Sequence, residues 1–353
     1  MQTHFKAVRL NATTYPIESA ERDELGRAGA ELTVIEGQVP DDILRAAADC
    51  DALLVVSSRL PASVIEGLRR CRVIARLGAG TDRIDVAAAT QAGIVVANVP
   101  DFCTYELAEH AMALLLTWAR RLPYMQAEMR RGNWSARHHP EVHRIAGRAL
   151  GFIGFGLSAA AVAERARGFG LRLLAWVRNP DKYRQKADAL GVTLVDLDRL
   201  LAESDFVSIH VPLTSDTRHL IGARELARMK PTALLINTAR GAIVNERALV
   251  QALREHQIGG AALDVFEELD VFAPPGAPPS HPLLELDDVI LTPHSGGSSV
   301  ESTRDSKVRG ARNAADVLMG RWPEYVVNPE VTPRFPLQPK ARRTDPPAGQ
   351  SSE

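Results

Sequence analysis

Short apolar runs, each bounded by turn residues, recur along this chain and are separated by stretches with helical spacing. In the first third they are Ala52 to Val56, Val73 to Leu77 and Ile94 to Val99; later come Leu171 to Val177, Phe206 to Val211, Ala233 to Thr238, Ala261 to Phe266 and Val289 to Thr292. A strand that is apolar throughout, rather than at alternate positions, is buried on both faces, which is the condition of a parallel strand covered by helices. The pattern therefore predicts an α/β fold with parallel sheets. At 353 residues the chain exceeds the usual size of one domain, so two cores are expected. Pro100 closes the first series, and Glu106 to Leu122 reads as a long, largely buried helix leading away from it.

Near the middle stands Gly151-Phe152-Ile153-Gly154-Phe155-Gly156, between a strand-like and a helix-like stretch. Glycines at Gly154 and Gly156, with Ala159 in the third place of the pattern, let the backbone turn tightly into a helix whose amino end can face a dinucleotide pyrophosphate. Leu157 and Ser158 open that helix and should present backbone N–H groups. It is expected to run to Phe169 and to close at Gly170, a residue suited to a left-handed cap. Leu171 to Val177 then supplies the second strand of a βαβ unit. An acidic residue usually ends this strand and binds the adenosine ribose hydroxyls. Here Val177 takes that place and Arg178 follows, so a 2′-phosphate is not repelled and can be bound. NADP is favoured, with NAD possible.

The later strands end in His210-Val211-Pro212, Thr238-Ala239-Arg240-Gly241, Asp264 and His294, on the sheet edge where ligands of open α/β folds bind. Together with Arg76-Leu77-Gly78-Ala79-Gly80-Thr81-Asp82, these motifs stand in an order that resembles the D-isomer-specific 2-hydroxyacid dehydrogenases, over about Asp51 to Pro329. The chemistry agrees. Reducing a 2-oxo acid needs a cation for the carboxylate and carbonyl, a proton donor for the alkoxide and a hydride donor opposite. Arg240 suits the first, helped by backbone N–H groups of Gly78, Ala79 and Gly80, and His294 suits the second. The resemblance further implies that Asp264 contacts the nicotinamide and that Val211, Pro212, Thr238, Ala239 and Gly296 line the cofactor cleft. In the family a glutamate five residues beyond this aspartate orients the histidine. Leu269 occupies that position, and the segment to His281-Pro282-Leu283 is several residues longer than usual. Glu268 is the expected replacement, with Glu267 second.

The resemblance implies a Rossmann cofactor domain, residues 104–298, inserted in a flavodoxin-like substrate domain, residues 1–103 plus 299–330, with closure of a cleft before hydride transfer. It also implies a homodimer. The competing reading is a dinucleotide-sensing corepressor-like protein of the same fold. Forty-two basic residues against 43 acidic leave no global field for nucleic acid or an anionic membrane. The longest apolar helix run, Ala111 to Ala119, is too short to span a bilayer. Cys50, Cys71 and Cys103 lack metal-ligand spacing and suggest a reducing, cytoplasmic setting. In the polar loop Arg131 to His143, Trp134 is expected to pack, and His138, His139 and His143 are read as solvated rather than metal-binding. Val331 to Glu353, rich in Pro, Arg and Ser, is expected to be a disordered tail.

Overall fold

The computed structural model describes residues 4–36, 39–135, 141–272 and 279–338. The chain divides into two units, Met1–Phe102 with Thr303–Glu353, and Cys103–Ser302. The first holds β1 (Phe5–Leu10), β2 (Ala30–Ile35), β3 (Ala52–Val55), β4 (Val73–Arg76) and β5 (Val95–Ala97) in the order β2-β1-β3-β4-β5. Every pairing is parallel, and the order is that of flavodoxin-like sheets. The central β3 is buried at all four residues, as its unbroken apolar run requires. No unbroken apolar run marks β1, because Lys6 and Arg9 interrupt it. Arg9 is nevertheless fully buried, with its Nε 3.3 Å from Glu21 Oε2 and its Nη2 donating to the Tyr15 carbonyl at 3.2 Å.

The second unit holds β6 (Ala149–Ile153), β7 (Arg172–Trp176), β8 (Val192–Leu194), β9 (Phe206–Ile209), β10 (Leu234–Asn237), β11 (Gly260–Leu263) and β12 (Val289–Leu291). Their order, β12-β11-β10-β9-β6-β7-β8, is doubly wound and parallel throughout. The winding reverses between β6 and β9, which makes the carboxyl ends of those strands the crevice where such sheets take ligands. The helix Leu157–Arg167 buries Ala159, Ala160, Ala161, Val162, Ala163 and Ala166, small side chains that let it lie close to its neighbours. Gly170 has φ +71°, the left-handed conformation its place after this helix calls for.

Observed strands end one to three residues before the apolar runs do, because their last residues curl out as turns. The long helix spans Thr104–Ala119. Two expectations are corrected. Trp134 does not pack within the described chain but stands 75% exposed; His138 and His139 lie outside the described residues. Residues 331–338, assigned above to a tail, are held against the first unit. Val331 is 6% exposed, Phe335 lies 3.7 Å from the Arg72 guanidinium, and Gln338 N donates to the Gly320 carbonyl at 2.7 Å. Their composition is that of a loop, but a few apolar and cationic groups at the right places suffice to dock one.

Candidate active site

The glycine turn after β6 meets the demands of a dinucleotide cradle. Gly154 has φ +90°, and a Cβ there would lie 2.8 Å from the His210 carbonyl oxygen and 2.7 Å from Val211 Cγ1. Gly156 caps the helix with ordinary φ, and a Cβ on it would meet nothing within 4 Å. The first glycine thus permits the turn, while the second leaves open space before the amino-terminal N–H groups of Leu157 and Ser158. Lys186 Nζ donates to the Gly156 carbonyl at 3.1 Å, bringing a cation to the same turn. Beneath it, His210 lies between Ser158 Oγ (3.1 Å) and Ser208 Oγ (2.8 Å), and burial pushes its pKa down to about 4. It is therefore neutral at ordinary pH. Beyond β7, Val177 is buried and Arg178 pairs with Asp216 at 3.0 Å on the surface.

Arg240 follows β10 in a turn organised by Asn237, whose side chain donates to the Arg240 carbonyl (2.9 Å) and accepts from Ala239 N (3.0 Å). Arg240 Nη1 donates to the Ala239 carbonyl at 2.6 Å. Gly241 lies flat against the segment after β11, where a Cβ would come within 1.9 Å of the Phe266 carbonyl carbon. Thr238 is 8% exposed beside this turn.

His294 follows β12 in the left-handed region, φ +55°, and its N–H donates to the Asp264 carbonyl at 2.9 Å. A non-glycine residue held there is uncommon and is sustained only by its surroundings. Asp264 provides them. Its carboxylate accepts from Thr292 Oγ1 (2.6 Å), Ser295 N (2.8 Å) and Gly296 N (2.9 Å), and His110 Nε2 lies 3.5 Å away. Burial alone would raise its pKa, but the bonds from His110, Thr292 and the two amides outweigh it and hold it below the usual carboxylate range. A Cβ on Gly296 would strike Asp264 Oδ2 at 2.9 Å, so the residue is needed for this closeness. Asp264, 1% exposed, holds the His294 turn through these bonds.

In the first unit, the three carbonyls of Gly78, Ala79 and Gly80 accept from Val99 N (3.0 Å), Asn98 Nδ2 (2.7 Å) and Arg76 Nε (2.9 Å). Because each peptide N–H is anti to its carbonyl, the amides of Ala79 and Gly80 point away from these donors, whereas the Gly78 amide, expected to be free for an anion, is held by the Arg76 carbonyl at 2.9 Å.

Residues 112–296 match the D-isomer specific 2-hydroxyacid dehydrogenase, NAD binding domain. The chain is 42% identical over 310 residues to a glyoxylate reductase of Korarchaeum cryptofilum, covering 85% of this chain and 90% of that one. It is 39% identical over 300 residues to a D-3-phosphoglycerate dehydrogenase of Methanocaldococcus jannaschii, covering 84% of this chain but 55% of that one. The chain belongs to the D-isomer-specific 2-hydroxyacid dehydrogenases. A crystal structure of a glyoxylate reductase from Paecilomyes thermophila matches with TM-score 0.80 and 28% identity, over 93% of this chain and 99% of that one. As a member of this family the chain is an oxidoreductase acting on CH–OH donors, interconverting 2-oxo and 2-hydroxy acids.

In this dehydrogenase the expected partner of His294 must be corrected. Glu268 Oε1 accepts from Arg247 Nε at 2.9 Å and lies on the surface. Glu267 is taken by His219 Nε2 (2.8 Å) and Arg218 Nη2 (3.0 Å). Neither carboxylate reaches the imidazole, because Glu267 N is drawn to the buried Glu246 Oε2 at 2.8 Å, which turns the loop the other way. Against the His294 ring lies Phe272, with centroids 4.9 Å apart. Sequence reasoning passed over Lys186 and Glu246, and it placed Asn237 in the strand-end motif Asn237-Thr238-Ala239-Arg240-Gly241 without giving it a role. A cavity of about 320 Å³, lined by Trp118, Arg121, Phe206, Thr232 and Asp288, opens at the amino ends of the strands, away from these turns.

Proposed function

We propose that this dehydrogenase reduces a small 2-oxo acid, with glyoxylate and hydroxypyruvate the first candidates, to the D-2-hydroxy acid. The observation that carries the reading is that one parallel sheet gathers a glycine cradle, a guanidinium and an imidazole at the carboxyl ends of β6, β10 and β12. Arg240 holds the carboxylate and polarises the carbonyl with its planar fork. In the first unit, the amides of Ala79 and Gly80 are the donors offered to an anion. Leu157 and Ser158 receive the pyrophosphate, Asp264 contacts the nicotinamide, and Val211, Pro212, Thr238, Ala239 and Gly296 line the cofactor cleft. The bound dinucleotide supplies the hydride. His294 gives a proton to the alkoxide oxygen and takes it back in the reverse direction.

The test is the loss of nicotinamide absorbance on mixing protein, reduced dinucleotide and a panel of 2-oxo acids. Wild type turns over. His294→Asn lowers kcat about a hundredfold or more with dinucleotide affinity kept, and Arg240→Ala lowers kcat/KM by about as much. A wild type that binds the dinucleotide yet reduces no 2-oxo acid points instead to a dinucleotide-sensing, corepressor-like protein.

NADPH is the proposed cofactor. Arg178 and Asp216 are 69% and 63% exposed, and such a pair contributes at most about 1 kcal/mol, so a 2′-phosphate can take the guanidinium over. NADPH should bind about tenfold or more tighter than NADH, and Arg178→Ala should erase the difference. Equal affinities, or tighter NADH, refute it. A cytoplasmic homodimer completes the reading. None of the three cysteines is in a disulfide, and the helix Leu122–Arg130 buries none of its residues. Leu122, Tyr124 and Trp134 stand exposed there, a face suited to a second copy. Light scattering on Trp134→Glu tests that face.

A further inference from the structure

A histidine and two serines form a short hydrogen-bonded row beneath the glycine turn, and its outer hydroxyl is half-buried. Ser208 and His210 stand two positions apart at the end of β9, which puts both side chains on one face of the sheet. Ser208 Oγ is 2.8 Å from His210 Nε2, and His210 Nδ1 is 3.1 Å from Ser158 Oγ, at the start of the helix Leu157–Arg167. Phe152 walls the ring, with centroids 5.8 Å apart, and Gly154 lies against the His210 carbonyl. The row is thereby anchored to the turn itself.

The proton positions follow from the hydrogen bonds. A neutral imidazole donates from one nitrogen and accepts at the other, and burial keeps this ring neutral at ordinary pH. Ser208 is 1% exposed, and His210 Nε2 is the one described partner of its hydroxyl. With the ring proton on Nε2, the Ser208 hydrogen would be buried without an acceptor, which is costly. Ser208 therefore donates to Nε2, the ring proton sits on Nδ1, and Nδ1 donates to Ser158 Oγ. Ser158 accepts that bond, so its own hydrogen is left over. It has no acceptor among the described residues, and it stands beside Gly156, where a Cβ would meet nothing within 4 Å.

We propose that Ser208 and His210 are positioning residues that hold the Ser158 hydroxyl as a donor to the dinucleotide pyrophosphate, adding a side-chain bond to those of the helix N–H groups. This rests on the reading of that helix end as the pyrophosphate cradle. With the opposite tautomer the Ser158 hydrogen would be given to Nδ1, and the hydroxyl would turn only lone pairs toward an anion. A hydroxyl that donates to a charged phosphate makes one of the stronger hydrogen bonds, so the placement of one ring proton decides whether this side chain attracts the cofactor or not.

The experiment reads the imidazole tautomer of the full chain by nitrogen-15 NMR, the His210 signal assigned by its loss in His210→Gln, and titrates NADH and NADPH into the variants. The ring proton should be found on Nδ1. Ser158→Ala should weaken both dinucleotides about tenfold or more with the melting temperature kept, since both carry the pyrophosphate. Ser208→Ala should admit the Nε2-protonated ring and weaken both about twofold or more, a loss that should vanish when Ser158 is already replaced by alanine. Should Ser208→Ala not fold, the wild-type tautomer and Ser158→Ala decide. A wild-type ring protonated at Nε2 overturns the proposal. So does undiminished affinity in Ser158→Ala when Gly156→Ala, whose methyl fills the approach to the helix end, binds more weakly. If neither variant binds more weakly than wild type, the cradle reading falls and the proposal with it.

Discussion

His210 shows how one side chain couples the glycine turn to acid stability. Two serine hydroxyls hold its ring, and burial lowers its pKa from 6.5 to about 4. The unfolded chain takes up this proton as pH falls below about 6.5, whereas the folded protein does so only near pH 4. The stabilisation is therefore complete above pH 6.5 and is lost as pH falls toward 4. Between pH 7 and pH 5 wild type should lose about 2 kcal/mol more than His210→Gln in urea denaturation. Parallel losses in the two proteins would mean that His210 is not held neutral. Its place after a strand was legible in the sequence. Its neutrality was not, since that comes from burial, which only the fold decides.

At the scale of elements, the site is a set of strand-end turns, and its glycines differ in what they permit. A methyl on Gly241 has no room beside the Phe266 backbone, 1.9 Å away, so the turn carrying Arg240 must move. Gly241→Ala should destabilise the protein by about 3 kcal/mol or more and abolish turnover. Gly156 has ordinary φ and open space, so Gly156→Ala should change stability by less than about 1 kcal/mol. Its methyl would instead occupy the approach to the helix amino terminus and weaken dinucleotide binding. Thermal denaturation and dinucleotide titration of the two variants separate these effects. A stable, active Gly241→Ala, or a Gly156→Ala with undiminished affinity, would show that the turns do not work this way.

Across the whole molecule, the first unit is completed by residues far along the chain. The helix Val300–Leu318 contributes Ala311, Ala314, Ala315, Val317 and Leu318 to the core that holds Ala7, Leu54 and Val95. Residues 331–338 follow, with Arg334 donating to the Leu68 and Gly93 regions and Phe335 against Arg72. A chain ending after residue 330 should be less stable than one ending after 338 by about 2–4 kcal/mol, from the lost apolar burial and the cation–π contact. Equal melting temperatures for the two would mean that the docked segment contributes nothing.

The sequence by itself determined the α/β class, the dinucleotide turn and the strand-end positions of Arg240 and His294. These depend on features a few residues long: unbroken apolar runs, a glycine that must take positive φ, and polar residues where a run stops. Only the tertiary structure decided which charges meet. Arg9 interrupts the apolar run of β1, yet it is buried together with Glu21. Glu268 looked like the partner of His294 until Glu246 caught the amide of Glu267, 21 positions away, and turned the side chain to Arg247. A carboxylate's identity is local, but its partner is set by where the chain returns, and the pairing at Glu246 is made by segments that the sequence separates and the fold brings together.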